Sequence, residues 1–121
     1  MHKQRKHANL KKVTKDAIDN KFSNFAHADM SNMMLPFDFS NANFYNAHLH
    51  GSWFHEANFN NADLTNANMG DTNLEYTNLT NAKMNGVIFY NTIVDLRNLA
   101  TAKLELADLT GVRILNDKRK F

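Results

Sequence analysis

The stretch FNNADLTNANMGDTNLEYTNLTNAKM, residues 59–84, places a large apolar residue at every fifth position. Phe59, Leu64, Met69, Leu74, Leu79 and Met84 keep that step, and two places before each stands a small residue: Ala57, Ala62, Ala67, Thr72, Thr77 and Ala82. A step of five suits neither regular element. On an α-helix it advances about 500°, so successive apolar residues drift by about 140° and visit every side. On a flat strand an odd step sends them alternately to opposite faces. A single buried side results only if the chain bends once per five residues. Steady bending in one sense closes the chain into coils, and stacked coils bury one continuous core. The sequence therefore predicts a solenoid.

Working outward, the same step runs through Phe39, Phe44, Leu49, Phe54, Phe59, Leu64, Met69, Leu74, Leu79, Met84, Phe89, Val94, Leu99, Leu104, Leu109 and Ile114. All 16 positions are large and apolar in a chain that is 43% hydrophobic, so chance does not account for them. Two positions upstream, 12 of the 16 are Ala, Ser or Thr, the exceptions being Phe37, Val87, Arg97 and Val112. Phe25, Met30 and Leu35 follow a five-step frame one residue out of phase with Phe39 onward. The segment SNMMLPFDF, residues 31–39, is therefore expected to hold a deletion or bulge, with Pro36 suited to a position that has no ladder donor. Arg97 stands where a small inward residue belongs. Either its stem is buried with the guanidinium reaching the surface, or the last coils are distorted.

The repeated motif, small–Asn/Asp–Leu/Phe–polar–variable in ADLTN (62–66), ANFYN (42–46), ANFNN (57–61) and ADLTG (107–111), resembles that of the pentapeptide-repeat proteins. The resemblance covers roughly residues 22–116. It implies an all-β solenoid: a right-handed quadrilateral parallel β-helix with four pentapeptides per coil and about 4–5 coils. At the roughly 4.8 Å spacing of neighbouring strands, four coils stack to a rod of about 20 Å. The central Leu, Phe or Met is expected to fill the axis and the small residue an inner corner. Asn and Asp are expected at the tight turns, where they tolerate unusual backbone angles. Asn41, Asn61 and Asn81, 20 residues apart, are expected to stack as a ladder on one side.

The expected organisation is a basic N-terminal helix or arm (1–21), the β-helix (22–116) and a basic C-terminal tail (117–121). Leu10, Val13, Ala17 and Ile18 share one helical stripe behind Asn9 as an N-cap, so a helix covering the open end and a disordered arm are the two readings of the first segment. The net charge of +2 divides unevenly. Residues 1–21 carry seven Lys or Arg against two Asp, residues 22–117 four against ten Asp or Glu, and the last four residues three basic groups.

Zero cysteines exclude disulfides, iron–sulfur clusters and thiol catalysis. No apolar run approaches the 18 residues of a membrane span, and no hydrophobic stretch follows the basic start, so a cytoplasmic protein is expected. There is no Gly-rich phosphate loop or nucleophile elbow. A filled solenoid also offers convex sides, so neither catalysis nor a cofactor is expected. His48, His50 and His55 lie close in sequence, but a structural zinc site needs four ligands and a catalytic one three with a supporting shell, so no metal is assigned.

Counting by twenties, the facet centred on Phe54, Leu74, Val94 and Ile114 is expected to expose Trp53, His55, Glu56, Glu75, Tyr76, Ile93, Asp95 and Leu96. That mixture of aromatics, aliphatics and carboxylates is typical of protein contact surfaces. Ile88, Tyr90, Leu106, Leu115 and Phe121 are candidate contacts for a homodimer through the C-terminal coil, as the resemblance implies, or for a covering tail. The expected function is that of a non-enzymatic interaction or scaffolding module for an unknown protein partner. The resemblance also implies an alternative: some members of the family mimic duplex DNA and bind DNA gyrase, as the quinolone-resistance proteins do. A second alternative is attachment to anionic lipid or nucleic acid through Lys3, Arg5, Lys6, Lys11, Lys12 and Lys15. No aromatic residues interleave these cations, so sequence-specific nucleic-acid binding is not expected.

Overall fold

The computed structural model describes residues 24–104, 107 and 110–115, with Ile114 and Leu115 described by backbone alone. The expected N-terminal helix or arm at 1–21 and the tail at 117–121 lie outside the described residues.

The bend demanded by the five-residue step is a β-turn. The N–H of the small residue donates to the carbonyl of the central residue three places earlier, as in Ala42 to Phe39 (3.1 Å), Ala47 to Phe44 (2.9 Å) and Ala62 to Phe59 (2.9 Å). The residue just before the small one has positive φ: 63° at Asn41, 56° at Asn46 and 61° at Asn61. Positive φ at the third residue of a turn is the mark of type II, which favours Gly or Asn there. From residue 41 to residue 91 positive φ recurs every fifth residue without a gap. Asn fills positions 41, 46, 61, 66, 81 and 91 of that run, and Gly fills 51 and 86. This explains why the chain is rich in Asn.

The residue before the centre completes the turn. Oδ1 of Asn43, Asn58, Asp63, Asn68, Asn73 and Asn78 each accepts the N–H two residues further on, at 2.8–3.0 Å. These Asx bonds satisfy a donor that the coil ladder leaves over.

Four parallel ladders stack the coils. Asn43, Asp63, Lys83 and Lys103 follow one another on the first side, and His48, Asn68 and Ile88 on the second. Trp53 and Asn73 lie on the third, and Asp38, Asn58 and Asn78 on the fourth. On the third side the pairing is long enough to form strands β1 (Asn73–Leu74), β2 (Ile93–Asp95) and β3 (Arg113–Leu115), with Asn73 opposite Ile93 and Ile93 opposite Arg113. Partners are 20 residues apart throughout these ladders, so each coil is four pentapeptides. This is a four-sided parallel β-helix.

The first described coil is one residue shorter. Asn24 pairs with Asn43, Asp29 with His48 and Met34 with Trp53, each 19 apart, and the 20-residue step begins at Asp38 with Asn58. The missing residue is at the corner holding Pro36, between Met34 and Asp38, where the sequence frame slips. Leu35 and Phe39 on either side both remain buried.

At the last coils the regular pattern is interrupted. A one-turn helix, α1 (Leu96–Leu99), stands in place of the next rung on the fourth side, capped by Asp95, whose side chain accepts the Arg97 N–H. Arg97 points outward and pairs with Asp95 at 3.2 Å, while Leu99 keeps its buried place. Of the two readings of Arg97, the distorted coil is the one observed.

The central residues form the core from Phe25 to Leu99, each contributing roughly 1.5–3 kcal/mol by burial. Its upper part is aromatic, with Phe25 stacked on Phe44 (5.0 Å) and Phe39 on Phe59 (5.5 Å). Below, Leu64, Met69, Leu74, Leu79 and Met84 continue it. Buried hydroxyls in the small position bond carbonyls: Ser52 to Met30 (2.6 Å), Thr72 and Thr92 both to Met69 (2.7 and 2.6 Å), and Thr77 to Leu74. Asn41, Asn61 and Asn81 do fall on one corner, but their shared feature is positive φ, from 58° to 63°.

Gly51 sits under Asn32, whose Oδ1 lies 2.2 Å from where a Cβ would be, and its φ is +75°. Gly51→Ala is expected to lower unfolding free energy by about 1–3 kcal/mol in urea titration. Gly70→Ala, at ordinary φ, is expected to cost less. Removing the overhanging side chain with Asn32→Gly is expected to restore part of the loss at position 51.

Candidate functional site

The third side carries β1, β2 and β3, and its outward residues are set by alternation: Phe54, Leu74 and Val94 point inward, so the residue before each points out. Down the stack these are Met34, Trp53, Asn73, Ile93 and Arg113. The turn that closes this side forms a second column, with His55 and Glu56 above Glu75 and Tyr76, and these above Asp95 and Leu96. Between the two columns the outer surface is backbone, because the central side chains are inside. This strip along the axis, termed the trough, is bordered by Met34, Trp53, Asn73, Ile93 and Arg113 on one side and by the turn residues on the other.

Four of the seven exposed large hydrophobics among the described residues belong here: Met34 (72% exposed), Trp53 (52%), Tyr76 (60%) and Leu96 (52%). His55 packs edge-on against Tyr76 with ring centroids 5.2 Å apart. The Glu56 N–H donates to the Glu75 carbonyl at 3.2 Å, so the two glutamates are on adjacent coils. Asn73 Nδ2 donates to Glu75 Oε1 at 3.1 Å. Asp95 is held by Arg97, Glu56 and Glu75 form no ion pair among the described residues, and Arg113 is an exposed cation at the lower end of the outward column.

The eight residues expected on this face are thus brought together. Trp53, Glu56, Tyr76 and Leu96 are exposed, while His55, Glu75, Ile93 and Asp95 are half-buried. Met34 was not among them. Counting back by twenties from Trp53 arrives at Met33, which is buried, whereas the 19-residue coil brings Met34 into line. The out-of-phase frame of Phe25, Met30 and Leu35 was the signal that locates it.

Backbone conformation singles out the same place. Among the described residues of positive φ, three are not Asn, Asp or Gly: His27 (63°), at a corner of another side, and the pair Glu56 (65°) and Tyr76 (58°). A bulky side chain in this region costs roughly 1–3 kcal/mol and is held there by its surroundings. Both stand in one column of the trough.

The other candidates separate. Ile88 and Tyr90 are exposed on the second side, but Leu106 and Phe121 lie outside the described residues, as does the side chain of Leu115. His48 and His50 are on the second side and His55 is at the corner of the third. His50 Nε2 lies 3.5 Å from Asp71 Oδ2, and Asn91 Nδ2 donates to Asp71 Oδ1 at 2.7 Å. Among the described residues no group of three His, Cys, Asp or Glu is arranged to hold a metal ion, and no helix is long and apolar enough to cross a membrane. A depression of about 350 Å³ is lined by His27, Asp29, Ser31 and His48.

With these features in place, the comparisons agree with the fold. Residues 37–61 and 54–91 match the model of pentapeptide repeats, in eight copies. The chain belongs to the pentapeptide-repeat family. It is similar to the crystal structure of the pentapeptide repeat protein Rfr23 from the cyanobacterium Cyanothece 51142, at 30% identity and a TM-score of 0.56 over 75% of this chain. The chain spans 58% of the length of that protein. Fainter likenesses include HetL from Nostoc sp. strain PCC 7120, a pentapeptide repeat protein involved in heterocyst differentiation regulation (14% identity, TM-score 0.38, 74% of this chain and 54% of that one). Another is QnrB1, a plasmid-mediated fluoroquinolone resistance protein (20% identity, TM-score 0.27, 77% and 67%). No curated protein sequence matches the chain.

Replacing the strained side chains by a residue suited to the turn is expected to help folding. Glu56→Asn and Tyr76→Asn should each raise unfolding free energy by about 0.5 kcal/mol, part of the strain relieved. Trp53→Ser should stay within about 0.5 kcal/mol of the parent, as for an exposed residue. Urea titration followed by circular dichroism reads all three.

Proposed function

We propose that this chain is a non-enzymatic interaction module that engages a protein partner through the trough on its third side. The observation that carries the reading is the gathering of Met34, Trp53, Tyr76 and Leu96 on one side of four. Aromatic anchors with a partly polar border make the composition of a contact surface. The strained backbone under Glu56 and Tyr76 supports it, since strain of this kind persists where a side chain serves something other than folding.

Gyrase modulation by duplex mimicry is the less favoured reading. It calls for a continuous anionic side, and the described carboxylates are dispersed: Asp63 on the first side, Asp29 on the second, Asp38 on the fourth. A supercoiling assay titrated with the folded protein reads this alternative directly. The basic residues proposed to hold anionic lipid or nucleic acid lie outside the described residues. Ile88 and Tyr90 are a smaller surface pair that suits self-association.

Photocrosslinking tests the favoured reading. A benzophenone side chain at Met34 or Ile93 is expected to give a discrete crosslinked product in the native host, while one at Asn60, on the fourth side, gives none. Equal products from both sides, or none from the trough, would sink it. Tyr76→Asn is expected to abolish the product while the protein becomes more stable, which separates binding from folding.

A further inference from the structure

We infer that the segment received by the trough is cationic as well as apolar: a peptide stretch in which Lys or Arg side chains flank aliphatic ones. This rests on the interaction face proposed above and adds the chemistry of its occupant.

The inference follows from how charge is placed around the aromatic groups. Asp95 is matched by Arg97 at 3.2 Å and Arg113 is exposed one rung below Ile93, so the lower end of the trough is not anionic. Glu56 and Glu75, one coil apart at its middle, form no ion pair among the described residues, and Arg113 stands two rungs below the level of Glu75. Trp53 stands across the trough and Tyr76 beside the glutamates, both more than half exposed. An indole or phenol face together with a carboxylate attracts an ammonium or guanidinium group, and Trp is the strongest of these rings. A neutral apolar segment would cover Trp53 but desolvate two unpaired carboxylates, which opposes binding. An acidic segment would add repulsion. Met34 at one end and Ile93 and Leu96 at the other supply apolar contacts for the flanking aliphatic residues, about three rungs or 14 Å apart. Arg113, one rung below Ile93, sets direction by disfavouring a cation at that end.

Backbone strain gives the inference its second support. Position 56 would be better served by Asn, as at 41, 46, 61, 66, 81 and 91, yet it carries a carboxylate at φ 65°. A change to Asn therefore removes the charge without endangering the fold, which makes the test clean.

Trp53 is the chain's single Trp, so its fluorescence reports occupancy of the trough without labelling. The full chain is titrated with short peptides of equal apolar content whose polar positions are all Lys, all Gln or all Glu, at about 0.05 and 0.5 M salt. The Lys peptide is expected to shift Trp53 emission at a concentration about tenfold lower than the Gln peptide, the Glu peptide being weakest. That advantage should vanish at high salt and in Glu56→Asn/Glu75→Gln. Equal response to all three peptides would overturn the cationic partner and leave the face standing. No response to any of them overturns it too, and the photocrosslinks, which assume nothing about charge, then decide whether the face itself fails. Emission that is already blue in the free chain and turns red with salt would put the chain's own basic residues 1–21 in the trough and overturn an external partner.

Discussion

Everything in this structure depends on repeating one bend. Coils stack in register only if every corner turns the chain by the same amount, because each peptide must meet its partner 20 residues away. The device that secures this is a residue of positive φ once in five, followed by a hydrogen bond back to the central carbonyl. Where the device is present, the ladders are unbroken, the central side chains are enclosed and the Asx bonds take up the leftover donors. Where it is absent, at residue 96, the chain forms a turn of helix and Arg97 swings outward.

The same constraint exposes what is not architectural. A corner that tolerates Asn or Gly tells little about function when it carries them. Glu56 and Tyr76 occupy such corners in one column, beside Trp53, where Asn would serve the turn better; Tyr76 meets His55 of the coil above. The surface feature and the backbone feature are independent observations, and two of the three such corners, His27 being the third, fall on the side with the exposed aromatics. Asp71 also stands at a corner, but its carboxylate meets Asn91 and His50, so a role within the frame accounts for it.

Much of the fold was legible because a solenoid writes its geometry in one dimension. The spacing of Phe39 through Leu99 predicted the buried column, and the out-of-phase Phe25 and Met30 predicted the short coil. The sequence left open how the chain would treat Arg97, since burying a long stem and distorting a coil are close alternatives. It resolved toward distortion, with Asp95 capping the helical turn and pairing with the guanidinium. Of the face, the eight named residues followed from counting by twenties, a coil length supplied by the resemblance to pentapeptide-repeat proteins rather than by the five-residue step. Met34 was hidden because a period says nothing about phase across a deletion, and the positive φ at Glu56 and Tyr76 was hidden because neither residue type advertises it.

The 19-residue coil has a further consequence, best put in the language of crystals. It is a dislocation in an otherwise regular one-dimensional lattice. Below it, whole coils of 20 can be gained or lost by duplication, and each side keeps its character because every column advances in phase. A segment copied across Pro36 would carry the one-residue shift with it, its core residues still inward as Leu35 and Phe39 are, and its ladder partners 19 rather than 20 apart. The outward columns above and below such a corner are then counted in different phases, and the trough begins at that boundary.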